Sequence, residues 1–371
     1  MPLRRPVDRW LLFFAVMLMA IGMVWVYSAS WVRGASGGGG AATAFLVRQL
    51  VAGLLGLVLM LMLTQVDVAS LQENFRPLQI AYGLLMVLLV AVLVIGPKVN
   101  GAHRWIRLGP LGSIQPSEIF KPLAVLLASA WMVRHREAWS DKMGSVPKLV
   151  QLFMFFIPPM ALILLQPDLG TAFLIIFVVM LIVFLGGAPR WIFAVTLPIL
   201  GLVGFLFIWM TPWRWARIIA FLNPWADPQG KGHQAIQSLL AVGSGGLLGV
   251  GPGQGQQKYF YLPEAHTDFI YAVIGEEAGL VGTVTVLALF MGILWRGYRI
   301  ARRSSDSYLR LVAMGLTLLL VVQALMNMSV VLSLAPNKGI PLPFISFGPN
   351  SLITSLICLG LLMSISKDAS A

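Results

Sequence analysis

Long apolar runs, bounded by charged or turn-forming residues, dominate the pattern of hydrophobic and polar positions along this chain. A membrane-spanning helix needs about 20 predominantly apolar residues. Ten runs approach or exceed that length, and they cover residues 10–30, 45–63, 77–96, 118–133, 150–165, 171–187, 191–210, 269–295, 309–333 and 351–366. The pattern therefore predicts an all-α integral membrane protein with ten transmembrane helices in a single polytopic domain, 1–371.

The first run and the loop charges predict the orientation of these helices. Run 10–30 is longer than the apolar core of a signal peptide, about 7–15 residues, so we expect it to remain as the first span. Lys and Arg in short loops favour the cytoplasmic side, which places both termini in the cytoplasm. A large extracytoplasmic loop, 211–268, then joins the seventh and eighth spans. The outer segments 97–117, 166–170 and 334–350 carry the other unusual polar residues.

Composition supports the same class of protein. The 371 residues are 58% hydrophobic and 11% charged, against roughly 45–50% and 25% in soluble domains. Such a high apolar content excludes a soluble globular protein and a disordered chain. The single cysteine, Cys358, excludes a disulfide scaffold, and four scattered histidines argue against a zinc cluster.

Cationic residues around segment 97–117 are candidates for binding an anionic headgroup. Arg104 and Arg107 offer forked donors that match phosphate oxygens. Glu118 and Lys121 lie three residues apart on one helical face, where they could pair. The alternative is an interfacial turn whose basic residues touch lipid phosphates.

Acidic residues at two predicted membrane boundaries are candidates for chemistry. Asp168 either caps the following helix or needs a partner near the membrane. Glu264, His266 and Asp268 place three ionisable groups within five residues, directly before an apolar run. Partial desolvation raises the pKa of a carboxylate, which suits a general base. The alternative is helix capping, and His266 with Asp268 supplies too few ligands to define a metal site.

Two acids and a glycine-rich stretch lie near the eighth run. Glu276 and Glu277 fall inside that run, where acids form either a proton or ion path or a buried structural pair. The stretch 243–253 resembles a phosphate loop only superficially, because no Gly-Lys-Ser/Thr follows it. We expect a flexible loop there, preceded by a short amphipathic helix over 234–242.

Segment 336–348 is predicted to be irregular because it contains three prolines and two glycines. Irregular backbone at membrane depth is tolerated only against protein or a water-filled cavity. The one charge of this segment, Lys338, is a candidate phosphate ligand. The alternative is an exposed interfacial lysine.

Five strings, in this order, resemble the SEDS family (shape, elongation, division and sporulation), the polytopic polymerases of bacterial peptidoglycan. They are GAHRW at 101–105, QPSE at 115–118, QPDLGTA at 166–172, LPEAHTDF at 262–269 and KGIPLPFIS at 338–346. The resemblance extends from about residue 10 to 366. Strings at 223–228, 264–266 and 338–339 are more similar to the division members than to the elongation members. The chain departs from the family at Pro349-Asn350, where Gly-Ser is usual.

The resemblance implies a ten-span glycosyltransferase that polymerises lipid II, the undecaprenyl-diphosphate-linked disaccharide-pentapeptide, during septal cell-wall synthesis. Asp268, which matches the family's essential acid, would deprotonate the 4-hydroxyl of the acceptor sugar for an inverting transfer that releases undecaprenyl diphosphate. Candidate cations for the leaving group are Arg104, Arg107, Lys121, Arg214, Arg217 and Lys338. Further substrate-binding candidates are Glu118, Glu264 and His266.

The resemblance also implies partners and a location. A class B penicillin-binding protein would supply transpeptidation, and we expect further contacts with other division proteins and membrane lipids. Nothing in the sequence indicates a nucleic-acid partner. The expected location is the bacterial inner membrane, at the division septum, with the active site on the outer face. The sequence leaves open whether a divalent cation, Mg²⁺ or Mn²⁺, serves as a cofactor.

Three other functions compete with this hypothesis. A lipid II flippase would use the buried acids Glu276 and Glu277, but flippases often show repeated halves, and no such repeat is visible. An elongation polymerase of the same family would use the same site. A scaffold that recruits division proteins would not need Asp268.

Overall fold

The computed structural model describes residues 7–36, 41–99, 101–109, 112–139, 142–259 and 261–368. Most of these residues are helical. The helices are α1 (Arg9–Ser36), α2 (Ala41–Leu63), α3 (Ser70–Glu73), α4 (Arg76–Ile95), α5 (Pro116–Arg134), α6 (Lys142–Leu165), α7 (Leu169–Leu185), α8 (Arg190–Trp209), α9 (Pro212–Leu222), α10 (His233–Ser244), α11 (Ile270–Arg303), α12 (Ser307–Val331) and α13 (Pro349–Asp368). The strands are β1 (Lys98–Val99), β2 (Ala102–His103), β3 (Ile106–Arg107) and β4 (Ser113–Ile114).

A helix coincides with each of the ten predicted spans. Within the described residues, eight helices are long and apolar enough to cross a membrane, namely α1, α2, α4, α6, α8, α11, α12 and α13. The other two are α5, which carries Glu118 and Lys121, and α7, which has only 17 residues. The structure is thus that of a multi-pass helical membrane protein, and the count of ten spans stays a prediction.

Two loops contain regular structure outside the ten predicted spans. Within segment 97–117, β1 pairs with β2 and β3 with β4 in two short antiparallel hairpins, which the prediction of a purely helical chain did not include. The loop 211–268 contains α9 and α10, and α10 includes the predicted helix 234–242. The physical reason is that backbone polar groups near a membrane need hydrogen-bond partners, and short strands and helices supply them locally.

The core of the bundle is formed by α12 and α13, which are buried over most of their length. Helix α13 packs along α2, and α12 packs against α5, α7 and α11. The α2–α13 contact is close because a side chain at Gly360 would place its Cβ atom 2.7 Å from the carbonyl oxygen of Met60. Small residues allow such close approach of helices in membranes.

Helix α11 is broken at Gly279, whose backbone angles are φ 64° and ψ −159°. In an unbroken helix, the carbonyls of residues 276 and 277 would accept from the N–H groups of residues 280 and 281. Instead, these four groups bond the backbone of 246–251, at distances of 2.9 to 3.1 Å. The prediction of a flexible loop over 243–253 is therefore wrong, because this stretch supplies the hydrogen bonds that the break removes.

Replacing Gly279 with Ala should destabilise the protein. The positive φ is unfavourable for any other residue, and the new Cβ atom would lie 2.6 Å from the carbonyl oxygen of Leu247. We expect the free energy of unfolding to fall by about 2 kcal/mol, seen as a lower melting temperature in detergent. Gly83→Ala in α4 is the matched control, because no atom lies within 4 Å of its added Cβ. Equal melting temperatures for Gly279→Ala and wild type would contradict the role of the break.

Candidate active site

The predicted polar segments meet at one end of the helix bundle. Asp268 directly precedes α11, and the first turns of α5, α7 and α13 lie at the same end as the last turn of α12. Asn327 of α12 donates to the backbone oxygens of Asp268 and Ile340, at 2.7 and 2.8 Å. The backbone N–H of Gln115, before α5, donates to Asn350 Oδ1 of α13 at 3.3 Å. Since four helices begin here, their dipoles favour an anion at this end.

Asp268 is partly buried. The hydrogen bond that holds this residue is made by its backbone oxygen and not by its side chain. Gly339, at φ 60°, lies against it, and a Cβ atom there would be 3.2 Å from Asp268 Oδ2. Among the described residues, no group donates a hydrogen bond to this carboxylate. Both of its oxygens therefore remain available to a ligand.

The surroundings of Asp268 raise its pKa from 3.8 to about 7. Burial is the main cause, and the nearby acids Glu264 and Asp168 act in the same direction. Arg104 and Arg217 oppose the rise because each favours the ionised carboxylate. A carboxyl group with a pKa near neutrality is suited to general base catalysis.

Two of the predicted cations, Arg104 and Arg217, lie within electrostatic reach of this carboxylate. Arg104 Nε donates to the carbonyl of Gln166 at 3.0 Å, and a second guanidinium nitrogen donates to the carbonyl of Pro167. Burial and the charge of Arg104 lower the pKa of Arg217. The guanidinium of Arg217 lies 5.1 Å from the centroid of the Trp213 ring.

Lys338 is a further cation at this end of the bundle. Its ammonium lies 3.9 Å from the centroid of the Phe173 ring, and no acceptor within the described residues bonds it. Burial lowers the pKa of this ammonium. The first turn of α7 lies against the same segment, because a Cβ at Gly170 would be 2.9 Å from the carbonyl oxygen of Lys338. A desolvated cation without a partner is unfavourable, so Lys338 is suited to receive an anion.

Asp168 has the capping role that its position suggested. Its Oδ1 accepts from the backbone N–H of Thr171 at 3.2 Å, which caps α7. Its Oδ2 accepts from Gln115 Nε2 at 3.3 Å. Asp168 therefore joins the first turns of α5 and α7, and it also contributes negative charge near Asp268.

Glu264 and His266 lie beside the site with different surroundings. Glu264 has a positive φ of 56°, and its Oε2 accepts from Thr267 Oγ1 at 2.9 Å. His266 is buried, and its ring centroid lies 5.0 Å from that of Phe45 and 5.8 Å from that of Phe347. Glu264 thus shapes the turn that leads to the acid, and His266 packs that turn against its neighbours.

Glu118 and Lys121 form the pair that their spacing suggested. Their side chains are buried, and Lys121 Nζ lies 2.6 Å from Glu118 Oε2. Lys121 also donates to Gln323 Oε1 at 2.8 Å, and Gln323 in turn donates to the carbonyl of Pro341 at 2.9 Å. This buried polar chain connects α5, through Gln323 of α12, to the segment that contains Lys338.

Arg107 and Arg214 are among the predicted cations that make no contact with the acid within the described residues. Arg107 is exposed on β3. Arg214 lies at the junction of α8 and α9, where its guanidinium is 4.0 Å from the ring centroid of Phe207. It also donates to Thr211 Oγ1 at 3.1 Å. These contacts make Arg214 an anchor of α9.

The acids inside the eighth run have structural contacts that the sequence did not reveal. Glu277 pairs with Lys258 at 2.7 Å, and Glu276 accepts from the backbone N–H of Gln256 at 2.7 Å. Sequence reasoning missed Lys258, a single charge at the end of a glycine-rich stretch. It also missed Asn327, although an amide side chain in an apolar run is a signal for a buried hydrogen bond.

Metal ligands are not grouped in the part of the chain that the structure describes. No set of three or more His, Cys, Asp and Glu side chains lies close enough there to hold an ion.

The fold and the site together define a class, a multi-pass helical membrane protein with a partly buried acid among cations at one end of the bundle. The family model for FtsW, RodA and SpoVE, described as "Cell cycle protein", matches residues 9–371. The chain therefore belongs to the FtsW/RodA/SpoVE family, as the five strings indicated.

Known proteins are similar over nearly the whole chain. A Geobacter metallireducens protein named "Probable peptidoglycan glycosyltransferase FtsW" is 40% identical, over 97% of this chain and 94% of its own. "Stage V sporulation protein E" of Bacillus subtilis is 39% identical, over 97% of each chain.

Two solved structures share the fold. One, described as "Structural coordination of polymerization and crosslinking by a peptidoglycan synthase complex", has a TM-score of 0.78 and 32% identity over 98% of both chains. The Thermus thermophilus rod shape determining protein RodA has a TM-score of 0.70 and 30% identity, again over 98% of both chains.

Replacing Asp268 with Asn should stabilise the protein above neutral pH. The folded state keeps the Asp268 proton up to a pKa of about 7, against an ordinary value of 3.8. The folded state therefore binds more protons between these values, and stability falls as the pH rises through them. We expect the melting temperature of Asp268→Asn in detergent to exceed that of wild type at about pH 8, with the difference vanishing toward about pH 4.

Glu73→Gln is the control for this comparison, because it neutralises an exposed carboxylate. Its melting temperature should follow wild type at both pH values. If Asp268→Asn also follows wild type at both, the carboxylate is not destabilised by burial.

Proposed function

We propose that this chain is a peptidoglycan glycosyltransferase that polymerises lipid II into glycan strands and releases undecaprenyl diphosphate. The observation that carries the proposal is the carboxylate of Asp268, which lacks a donor among the described residues and has a pKa of about 7. The cations Arg104, Arg217 and Lys338 lie at the same end of the bundle. An acid of this kind removes a proton at neutral pH, and the cations suit a diphosphate.

The proposed step begins at the acceptor sugar. The carboxylate of Asp268 takes the proton of the 4-hydroxyl while that oxygen attacks the anomeric carbon of the donor. The bond from the anomeric carbon to the diphosphate breaks, and its electron pair leaves with undecaprenyl diphosphate. Attack from the face opposite the leaving group inverts the anomeric centre. The proton on Asp268 then passes to solvent.

The cations act on the leaving group. Negative charge grows on the diphosphate as the bond breaks, so preplaced positive charge stabilises the transition state more than the ground state. Lys338 and Arg217 are candidates for this role because neither cation has an acceptor among the described residues. The converging helix N-termini add to the same field.

We propose the following arrangement in the membrane. Helices α5 and α7 also cross it, which gives ten spans with both termini in the cytoplasm. The site and the large loop 211–268 then lie on the outer face of the bacterial inner membrane. The distribution of Lys and Arg between the loops supports this orientation.

The proposed partner is a class B penicillin-binding protein at the division septum, with other division proteins and membrane lipids nearby. The segments between the spans are too short to hold a folded transpeptidase domain. One structural relative is described as a peptidoglycan synthase complex that coordinates polymerization and crosslinking. Cross-linking by a second chain is therefore consistent with the fold.

The competing functions have less support. A lipid II flippase would need mobile buried acids, whereas Glu277 is paired with Lys258 and Glu276 accepts from backbone N–H groups. A RodA-like elongation polymerase would share the site and differ in its partner. A scaffold would leave the open carboxylate of Asp268 without a use.

Polymerisation should depend on Asp268 and on its ionisation. We expect purified chain with its penicillin-binding partner to convert lipid II into a glycan ladder, and Asp268→Asn to form none. Because the base acts when deprotonated, the rate should rise with pH through about 7 and then level off. A wild-type complex that forms no ladder contradicts the polymerase, and an active Asp268→Asn variant removes Asp268 as the base. Comparing the polymerisation rate in EDTA with the rate in added Mg²⁺ or Mn²⁺ tests whether the reaction needs a divalent cation.

Removing the charge of Lys338 should slow the same reaction. We expect Lys338→Met to lower kcat by about 100-fold, with a smaller change in KM, because the lost charge acts mainly in the transition state. Lys148→Met is the matched control, since Lys148 lies in the first turns of α6, at the other end of that helix from the site. Equal kcat values for Lys338→Met and Lys148→Met would exclude an electrostatic role of Lys338.

A further inference from the structure

A buried ion pair lies two helical turns along α11 from the site. Lys258 Nζ is 2.7 Å from Glu277 Oε1, and both side chains are almost fully buried. The ammonium also donates to Ser28 Oγ at 2.9 Å and to the carbonyl of Gly253 at 2.7 Å. All three of its protons are therefore used.

The two acids hold the preceding loop from two directions. Glu277 also accepts from the backbone N–H of Gly253 at 3.0 Å and from Ser28 Oγ at 2.8 Å. Glu276 accepts from the backbone N–H groups of Gln256 and Gln257. The loop end 253–258 is thereby attached to the first part of α11 and, through Ser28, to α1.

The first part of α11 depends on these contacts for its position. The break at Gly279 separates residues 270–278 from the remainder of the helix. The backbone groups on the two sides of the break form hydrogen bonds with the glycine-rich loop instead of with each other. The short helical piece is therefore placed by the loop and by its side chains rather than by an unbroken helix.

Asp268 lies inside the chain segment that the ion pair closes. Lys258 precedes Asp268 by ten residues, and Glu277 follows it by nine. The pair thus joins the two ends of the segment that contains the acid. A shift of either end would move the carboxylate relative to Lys338 and Arg104.

Stability alone does not account for this pair. A buried ion pair loses so much hydration that apolar replacements of similar size are often as stable or more stable. A fully bonded pair does fix one geometry, because each hydrogen bond constrains direction as well as distance. The arrangement is better explained by placement.

We propose that Lys258 and Glu277 are positioning residues for Asp268, and that their ion pair sets where the carboxylate lies in the site. The inference rests on the proposed glycosyl transfer. Neither residue contacts the acid, so both act through the backbone of 258–277. A displaced general base loses rate steeply, because about 1 Å of misplacement reduces a rate by about 100-fold.

The test is a paired neutralisation, Lys258→Met with Glu277→Gln. The glutamine keeps an acceptor for Gly253 and a partner for Ser28, so we expect a melting temperature close to wild type. We expect kcat for lipid II polymerisation to fall at least about 10-fold with KM nearly unchanged. The acid limb of the pH–rate profile should move below about 7, toward the ordinary value of an aspartate, because a displaced carboxylate is better hydrated. Wild-type kcat and an unmoved acid limb in the stable variant would overturn the proposal.

The matched control is Asp8→Asn with Arg296→Gln. These residues form an ion pair at the opposite end of α11, and Asp8 also caps α1. This variant should keep the wild-type kcat and pH profile. A loss of kcat equal to that of the first pair would show that any lost ion pair slows the enzyme, which contradicts positioning.

Two further arms keep the outcomes distinct. If the first double variant does not fold, Lys258→Arg replaces it, because a planar guanidinium cannot reproduce the three contacts of the ammonium. Unchanged kcat and pH profile in Lys258→Arg would then overturn the proposal.

The stabilisation by Asp268→Asn at about pH 8 is measured in the wild-type chain and in the variant that lacks the ion pair, without any turnover. Failure of the wild type to polymerise lipid II contradicts the proposed function, whereas an equal stabilisation in both backgrounds contradicts the positioning role.

Discussion

The hydrogen bonds that replace the missing turn of α11 are the constraint on which the site depends. The membrane interior offers no water to unpaired backbone groups, so the break at Gly279 needs partners from the protein. The stretch 246–251 supplies them. Once that stretch is fixed against the helix, Lys258 is brought to Glu277, and the chain that leaves Lys258 reaches α11 through Asp268. A local backbone requirement therefore determines where an acid lies.

The chemistry of the site follows from the charges that meet at one end of the bundle. Four helices begin there, Arg104 and Arg217 add positive charge near Asp268, and Lys338 lies at the same end. Asp168 is used as a helix cap, and Glu264 is bonded to Thr267. Helix N-termini and guanidinium groups at the same end of a bundle favour the binding of a diphosphate. Asp268 stays available as a base because burial and the nearby acids raise its pKa, and no group among the described residues donates to its oxygens.

The sequence predicted the parts of this molecule that depend on local pattern. The apolar runs identified the positions of ten helices, and the i, i+3 spacing predicted the pair of Glu118 and Lys121. The resemblance singled out Asp268. The break at Gly279, the ion pair of Lys258 and the short hairpins were missed, because each depends on contacts between segments that hydrophobic periodicity does not encode. Arg107 and Arg214 stay predictions from residue type, because within the described residues neither one contacts the acid.

Helix α1 is fastened to α11 at both of its ends. Near one end, Ser28 bonds the pair of Lys258 and Glu277, and at the other, Asp8 pairs with Arg296. Sliding of α1 past α11 would therefore break one attachment on each side of the break at Gly279. Because Glu277 and Arg296 lie on opposite sides of that break, α1 also bridges the two parts of α11 and keeps their spacing fixed.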